Sequence, residues 1–272
     1  FAPAQAAVCR AGLKAFLQVR NPAEFRAAQL ACDQAAALDP DGAEVVVSLG
    51  DLHRVNGDHA RAIEHYQRVI DDPAVRGDAL AGLAKSQAAL GRADEAERNF
   101  RRAQALLPGY WGVYLDTGVF YLGLARYEDA ADAFRAALAL GGDRDPRVHN
   151  NLGSASFMSD QLEEAETADS RALQLKPTHS VVSNLGTIRF ILGNPLGAAE
   201  LYREALRIEP NDYRMYGNLA DALGSAGGDP GEVRALYERA AQGAGAFLEA
   251  QPDSVDAASE LGEAINIEAL DH

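Results

Sequence analysis

The sequence predicts an all-α protein built as an elongated array of helix pairs, and three observations carry that expectation. An alanine recurs at Ala28, Ala62, Ala96, Ala130, Ala165 and Ala198, with Val233 as a seventh instance, at spacings of 34, 34, 34, 35, 33 and 35 residues. Phe100, Ala103 and Pro108 follow Ala96 at offsets that recur in the other periods. A turn then splits each period into two helical runs, as Gly91 does within residues 77–110. One such hairpin buries little surface alone, so each unit needs its neighbours.

The chain has 272 residues with no break in composition, which fits one array better than two globular domains. Its net charge of -15 argues against nucleic acid as a partner, because a polyanion would approach an acidic surface against long-range repulsion. Of 25 basic residues only Lys14, Lys85 and Lys176 are lysines, and this bias in an alanine-rich chain suggests a bacterial source. No apolar run approaches the roughly 18 residues that cross a bilayer. Phe1 opens the chain without an initiator Met or a signal-peptide pattern, so it reads as a piece of a longer protein.

The array is expected over residues 1–252, with repeats near 9–42, 43–76, 77–110, 111–145, 146–178, 179–212 and 213–252. The first is helical from near Pro3 to Gln18, turns at Asn21 and Pro22, and is helical again to Leu38; Pro22 suits a first turn, where a missing amide hydrogen costs nothing. In the second, Gly50, Ala62, Tyr66 and Val69 take the signature places and Gly57-Asp58 make the turn. The fourth carries Gly118, Tyr121, Ala130, Phe134 and Ala137. Its closing loop holds Asp143 and Asp145, a D-x-D spacing that opens some calcium loops; the Gly and the distal Glu are missing, which favours a solvated turn.

The fifth repeat holds Leu152, Gly153, Ala165, Ala172 and Pro177, but Asp169 stands where an aromatic is usual, so its second helix is expected to pack more loosely. The sixth restores Leu185, Gly186, Ala198, Tyr202, Ala205 and Pro210. The seventh keeps Leu219, Ala220, Tyr237 and Ala240, and its second helix continues through Phe247 to Ala250 despite Gly243 and Gly245. Residues 253–272 read as a polar capping helix and tail, with Val255, Ala258, Leu261, Ile265 and Ile267 as its apolar stripe.

A large apolar residue at place 4, Leu-Gly at 7 and 8, aromatics at 11 and 24, Ala at 20 and 27 and Pro at 32 together resemble the tetratricopeptide repeat, over nearly the whole chain. The motif has a packing logic. Helices approach closely only where both surfaces offer Gly or Ala, and aromatics fill the space beside that contact. The resemblance implies a right-handed superhelix of seven helix pairs, a concave groove lined by the first helices, and binding of a protein or peptide partner without enzymatic chemistry or a cofactor. The stretch FRAAQLACDQAAALDP, Phe25 to Pro40, more weakly resembles repeat regions fused to bacterial membrane-associated Ser/Thr kinases and winged-helix regulators.

In that frame, place 6 of the last three repeats is Asn151, Asn184 and Asn218, an expected ladder of amides that match the backbone of an extended peptide. Asn before Leu-Gly is also the family's usual residue. Asn150, Ser154, Ser183 and Thr187 add polar groups, Arg147 and Arg214 are placed to take a carboxylate, and Phe157, Met158, Phe190 and Ile191 offer an apolar shelf or ordinary inter-repeat packing. The amino-terminal half offers Glu44, Asp51, Asp78 and Asp116 against Arg54 and Lys85, an acidic surface for a basic segment or for solvent. His53, His59, His65, His149, His179 and His272 show no metal spacing, no nucleophile or phosphate-binding motif occurs, and the Glu163-Glu164 pair reads as a solvated helix face.

Cys9 and Cys32, the only thiols, occupy places that face one another within the first repeat, about one helical turn out of register. A bridge and two buried thiols both fit, as do a periplasmic domain of a membrane-anchored protein and a cytoplasmic location. The likeness leaves three settings open: a sensory or docking region of a signalling protein, an adaptor in secretion or envelope assembly, or a domain positioning substrates for a fused enzyme.

Overall fold

The computed structural model describes residues 1–251. The expected capping helix at 253–272 lies outside the described residues, as does His272. Among the described residues all regular structure is helical: α1 (Ala2–Val19), α2 (Pro22–Leu38), α3 (Ala43–Val55), α4 (His59–Arg68), α5 (Arg76–Ala89), α6 (Ala93–Leu106), α7 (Trp111–Gly123), α8 (Tyr127–Ala139), α9 (Pro146–Met158), α10 (Leu162–Leu175), α11 (His179–Ile191), α12 (Pro195–Ile208), α13 (Tyr213–Ser225) and α14 (Pro230–Ala250). A 3-10 turn, Gly142–Arg144, precedes α9.

The chain divides into two compact units. One comprises residues 1–126 with 136–142, and the other residues 127–135 with 143 onward. Within each, a helix packs on its hairpin partner and on the hairpin that follows. Ala28, Ala62, Ala96, Ala130, Ala165 and Ala198 are all buried, while Val233 is half-buried.

Turn chemistry starts many of the helices. Asn21, Asp58, Asp145, Thr178, Asn194, Asp212 and Asp229 each accept a hydrogen bond from a first-turn amide, satisfying a donor that the helix itself cannot. Between the helices of a pair one residue takes a left-handed conformation: Gly57, Gly91, Gly193 and Gly227, with Ala125 at φ 54° and Asp160 at φ 60° in the equivalent turns. Glycine is favoured there because it has no Cβ to strain.

In the first unit, α3, α4 and α5 enclose Val46, Val47, Ala62, Tyr66, Ala79 and Leu83. The Tyr66 ring lies against Gly50 and Gly82, where a Cβ would come within 2.7 and 2.3 Å of it. In the second unit the core runs from Val182 and Leu185 through Ala198, Leu201 and Tyr202 to Met215 and Leu219. There a Cβ on Gly186 would meet the Tyr202 ring at 2.7 Å, the same glycine-on-aromatic contact as Gly50 on Tyr66.

Candidate functional site

The second unit places α11 between α9 and α13, so first helices of successive repeats lie side by side. Asn151, Asn184 and Asn218 sit on them, each half-buried, with side-chain amides that make no hydrogen bond among the described residues. Asn150 behaves differently: its Oδ1 is buried without a partner, while its backbone carbonyl accepts from Ser154. Ser183 and Thr187 also bond to their own helix, at Ser180 and Ser183. The Tyr202 hydroxyl then reaches the Thr187 Oγ1 at 3.2 Å.

The two arginines are engaged within their own turns. Arg147 pairs with Asp145 at 2.7 Å and Arg214 with Asp212 at 3.2 Å, each partner being the cap of the arginine's own helix. Asp145 therefore works as a helix cap in an ordinary turn. Phe157 is half-buried and Met158 exposed, whereas Phe190 leans on the core between α11, α12 and α13.

Asp169 on α10 alters this face most. Its side chain is fully buried, neither carboxylate oxygen has a hydrogen-bond partner, and burial raises its pKa to about 8. The carboxyl occupies the place of Tyr66 and Tyr202, so close to Gly153 that a Cβ there would lie 2.3 Å from Oδ1. An aspartate is shorter than an aromatic ring, and the vacated space is a cavity of about 260 Å³. Ser154, Phe157 and Met158 of α9, Asp169 of α10 and Asn184, Thr187 and Ile188 of α11 line it. Three ladder-face polar groups, an apolar shelf and a buried acid are thereby brought together.

Sequence reasoning registered Asp169 only as a flaw in packing; the missing aromatic opposite a retained glycine was the available signal for a cavity. Glu164 also differs from the solvated face expected of it. It accepts a two-point contact from Arg135, at 2.8 and 2.6 Å, and a hydrogen bond from Ser156, and the Arg135 bonds hold its pKa below the usual carboxylate range. His179, Glu209 and Asp212 bring possible ligand atoms within 4.8 Å of one another. Asp212 there already caps α13 and pairs with Arg214 and with His179.

In the first unit the acidic surface is neutralised internally. Arg10 bridges to Asp78 at 2.8 Å, Arg54 to Asp51 at 3.2 Å, and Lys85 to Asp116 at 2.8 Å, while the Tyr66 hydroxyl donates to Asp51. Burial opposes the charge on Asp51, but Arg54, Lys85 and Arg10 outweigh it and hold the group below its ordinary range. Cys9 and Cys32 are joined as a disulfide across α1 and α2, with Cα atoms 5.1 Å apart.

The tetratricopeptide repeat family model matches residues 23–79, 50–110, 81–143 and 115–180, a continuous span of more than half the chain. The chain is a tetratricopeptide repeat protein. It is 27% identical over 183 residues to the human "Protein O-mannosyl-transferase TMTC1", a match covering 65% of this chain and 21% of that protein. The chain spans about a fifth of the length of the curated relatives it matches. Among solved structures, the APC/C heterotetramer Cut9-Hcn1 superposes with TM-score 0.69 at 20% identity, over 93% of this chain and 48% of that one. PilW, described as a widely conserved type IV pilus biogenesis factor, does so with TM-score 0.63 at 21% identity, over 82% and 98%. The likenesses to solved structures establish the fold. Among the described residues no helix is long and apolar enough to cross a membrane.

Proposed function

We propose that the α9–α11–α13 face holds an extended segment of a partner protein, and that the chain acts without chemistry of its own as the docking region of a larger bacterial protein. One observation carries this reading: three unengaged amides, Asn151, Asn184 and Asn218, stand on adjacent first helices, the middle one at the rim of a cavity. Each amide offers a donor and an acceptor to a peptide backbone regardless of its side chains. Asn150, Ser154, Ser183 and Thr187 flank the ladder, Phe157 and Phe190 supply its apolar side, and Arg147 and Arg214 stand at the starts of α9 and α13.

Peptides selected from a displayed random library against the wild type give the test. Binding of the enriched sequences should weaken at least about tenfold in Asn151→Ala/Asn184→Ala/Asn218→Ala, since each lost hydrogen bond is worth roughly 1 kcal/mol. Unchanged affinity with the helical signal intact would sink the ladder.

For the host protein, the Phe25 to Pro40 likeness supports a signalling setting such as a Ser/Thr kinase. The Cys9–Cys32 bridge favours a second reading, an adaptor in secretion or envelope assembly, because disulfides persist in oxidising compartments. The full-length gene product separates the two: a kinase domain and a transmembrane helix support the first, a lipoprotein signal the second.

A further inference from the structure

We infer that the cavity between α9, α10 and α11 is a receptor pocket for a basic side chain, lysine or arginine, of the bound segment, with the Asp169 carboxylate as its counter-ion. This deepens the docking reading and supplies the sequence preference that an amide ladder lacks.

The fold leaves one buried carboxyl uncompensated. A buried polar group without a partner is costly, and Asp169, which lines the cavity, has two such oxygens, both shielded from solvent beside Gly153. No charged neighbour compensates it: of the residues lining the cavity Asp169 alone is titratable. Glu166 and Arg189, one helical turn along, are already paired with each other at 3.1 Å. Water in the cavity would leave Phe157, Met158 and Ile188 facing it without reaching the shielded carboxyl oxygens. A lysine or arginine satisfies both halves of the site, its aliphatic stem against the three apolar walls and its cationic nitrogen on the carboxylate. Ser154, Asn184 and Thr187 supply acceptors for the remaining N–H groups, and Met158, flexible and exposed, can adjust to either stem. The chain's net charge of -15 favours the approach of a cation.

The probes are n-butylammonium and n-butylguanidinium, with n-butanol as the neutral control, followed by amide chemical shifts at a pH of about 9, where the carboxyl is ionised. Both cations should shift Gly153, Asp169 and Thr187, and butanol should bind at least about tenfold more weakly. Asp169→Asn, which keeps the shape, and Asp169→Phe, which restores the aromatic, should each abolish the cation's advantage while melting at or above the wild-type temperature. Should Asp169→Asn fail to fold, Asp169→Phe carries the comparison. Equal binding of cation and alcohol, or no shifts at high millimolar concentration, overturns the inference. Asn151→Ala/Asn218→Ala, which leaves the pocket lining intact, should bind butylammonium unchanged, so failure of the ladder and failure of the pocket are read separately. A preference between the two cations tells lysine from arginine.

Discussion

At Asp169 burial alone decides how the carboxyl titrates, and the sign of its effect on stability follows. The folded-state pKa is near 8 against an ordinary value of 3.8. Below about pH 4 the group is protonated folded or unfolded and costs nothing. As the pH rises toward 8 the unfolded chain ionises while the native one does not, so stability falls by up to about 1.4 kcal/mol per pH unit and then levels off. Between about pH 5 and pH 8 the wild type should therefore lose at least roughly 2 kcal/mol more than Asp169→Asn. Denaturant melts at the two pH values measure it, and equal losses would mean that the carboxyl reaches water. The sequence showed which residue departed from the repeat but not what filled the gap. That depends on Gly153 remaining glycine and on the walls from α9 and α11, which only the folded register brings together. That Asn151, Asn184 and Asn218 fall on successive first helices was legible because place in the repeat maps directly onto helix position.

Helices were readable because each had both a period and a stop signal. The first was expected from near Pro3 to Gln18 and spans Ala2–Val19; the second helix of the seventh repeat was expected to run to Ala250, where α14 ends. Two glycines of α14 show what such reading misses. In sequence, Gly243 and Gly245 are equivalent defects, each about 1 kcal/mol worse than alanine in a helix. In the structure, a Cβ on Gly243 would come within 2.4 Å of the Tyr213 Cβ, whereas nothing lies within 4 Å of one on Gly245. Gly245→Ala should accordingly stabilise the protein by about 0.5–1 kcal/mol. Gly243→Ala should destabilise it by about 1–3 kcal/mol, because α13 and α14 must move apart. Thermal melts of the two variants decide the matter, and shifts of the same sign would show that propensity, not packing, governs α14.

Across the whole chain, stability is set by contacts between neighbouring repeats, so a local change should have a local effect. The Cys9–Cys32 bridge tests this cleanly. It joins α1 to α2 at a sequence separation of 23, and loop-closure entropy gives it roughly 3 kcal/mol. The bridged sulfurs lie in a buried cluster with Leu13, Ala28, Ala31 and Leu52, so reduction leaves the packing of α1, α2 and α3 to stand without the crosslink. Amide hydrogen exchange with and without a phosphine reductant reads the result helix by helix. Exchange should quicken in α1, α2 and α3 and stay unchanged in α11, α12 and α13. Equal acceleration in both units would instead mean that the array unfolds as one cooperative body. A docking face on α9, α11 and α13 would then be coupled to the redox state of two cysteines more than a hundred residues away in sequence.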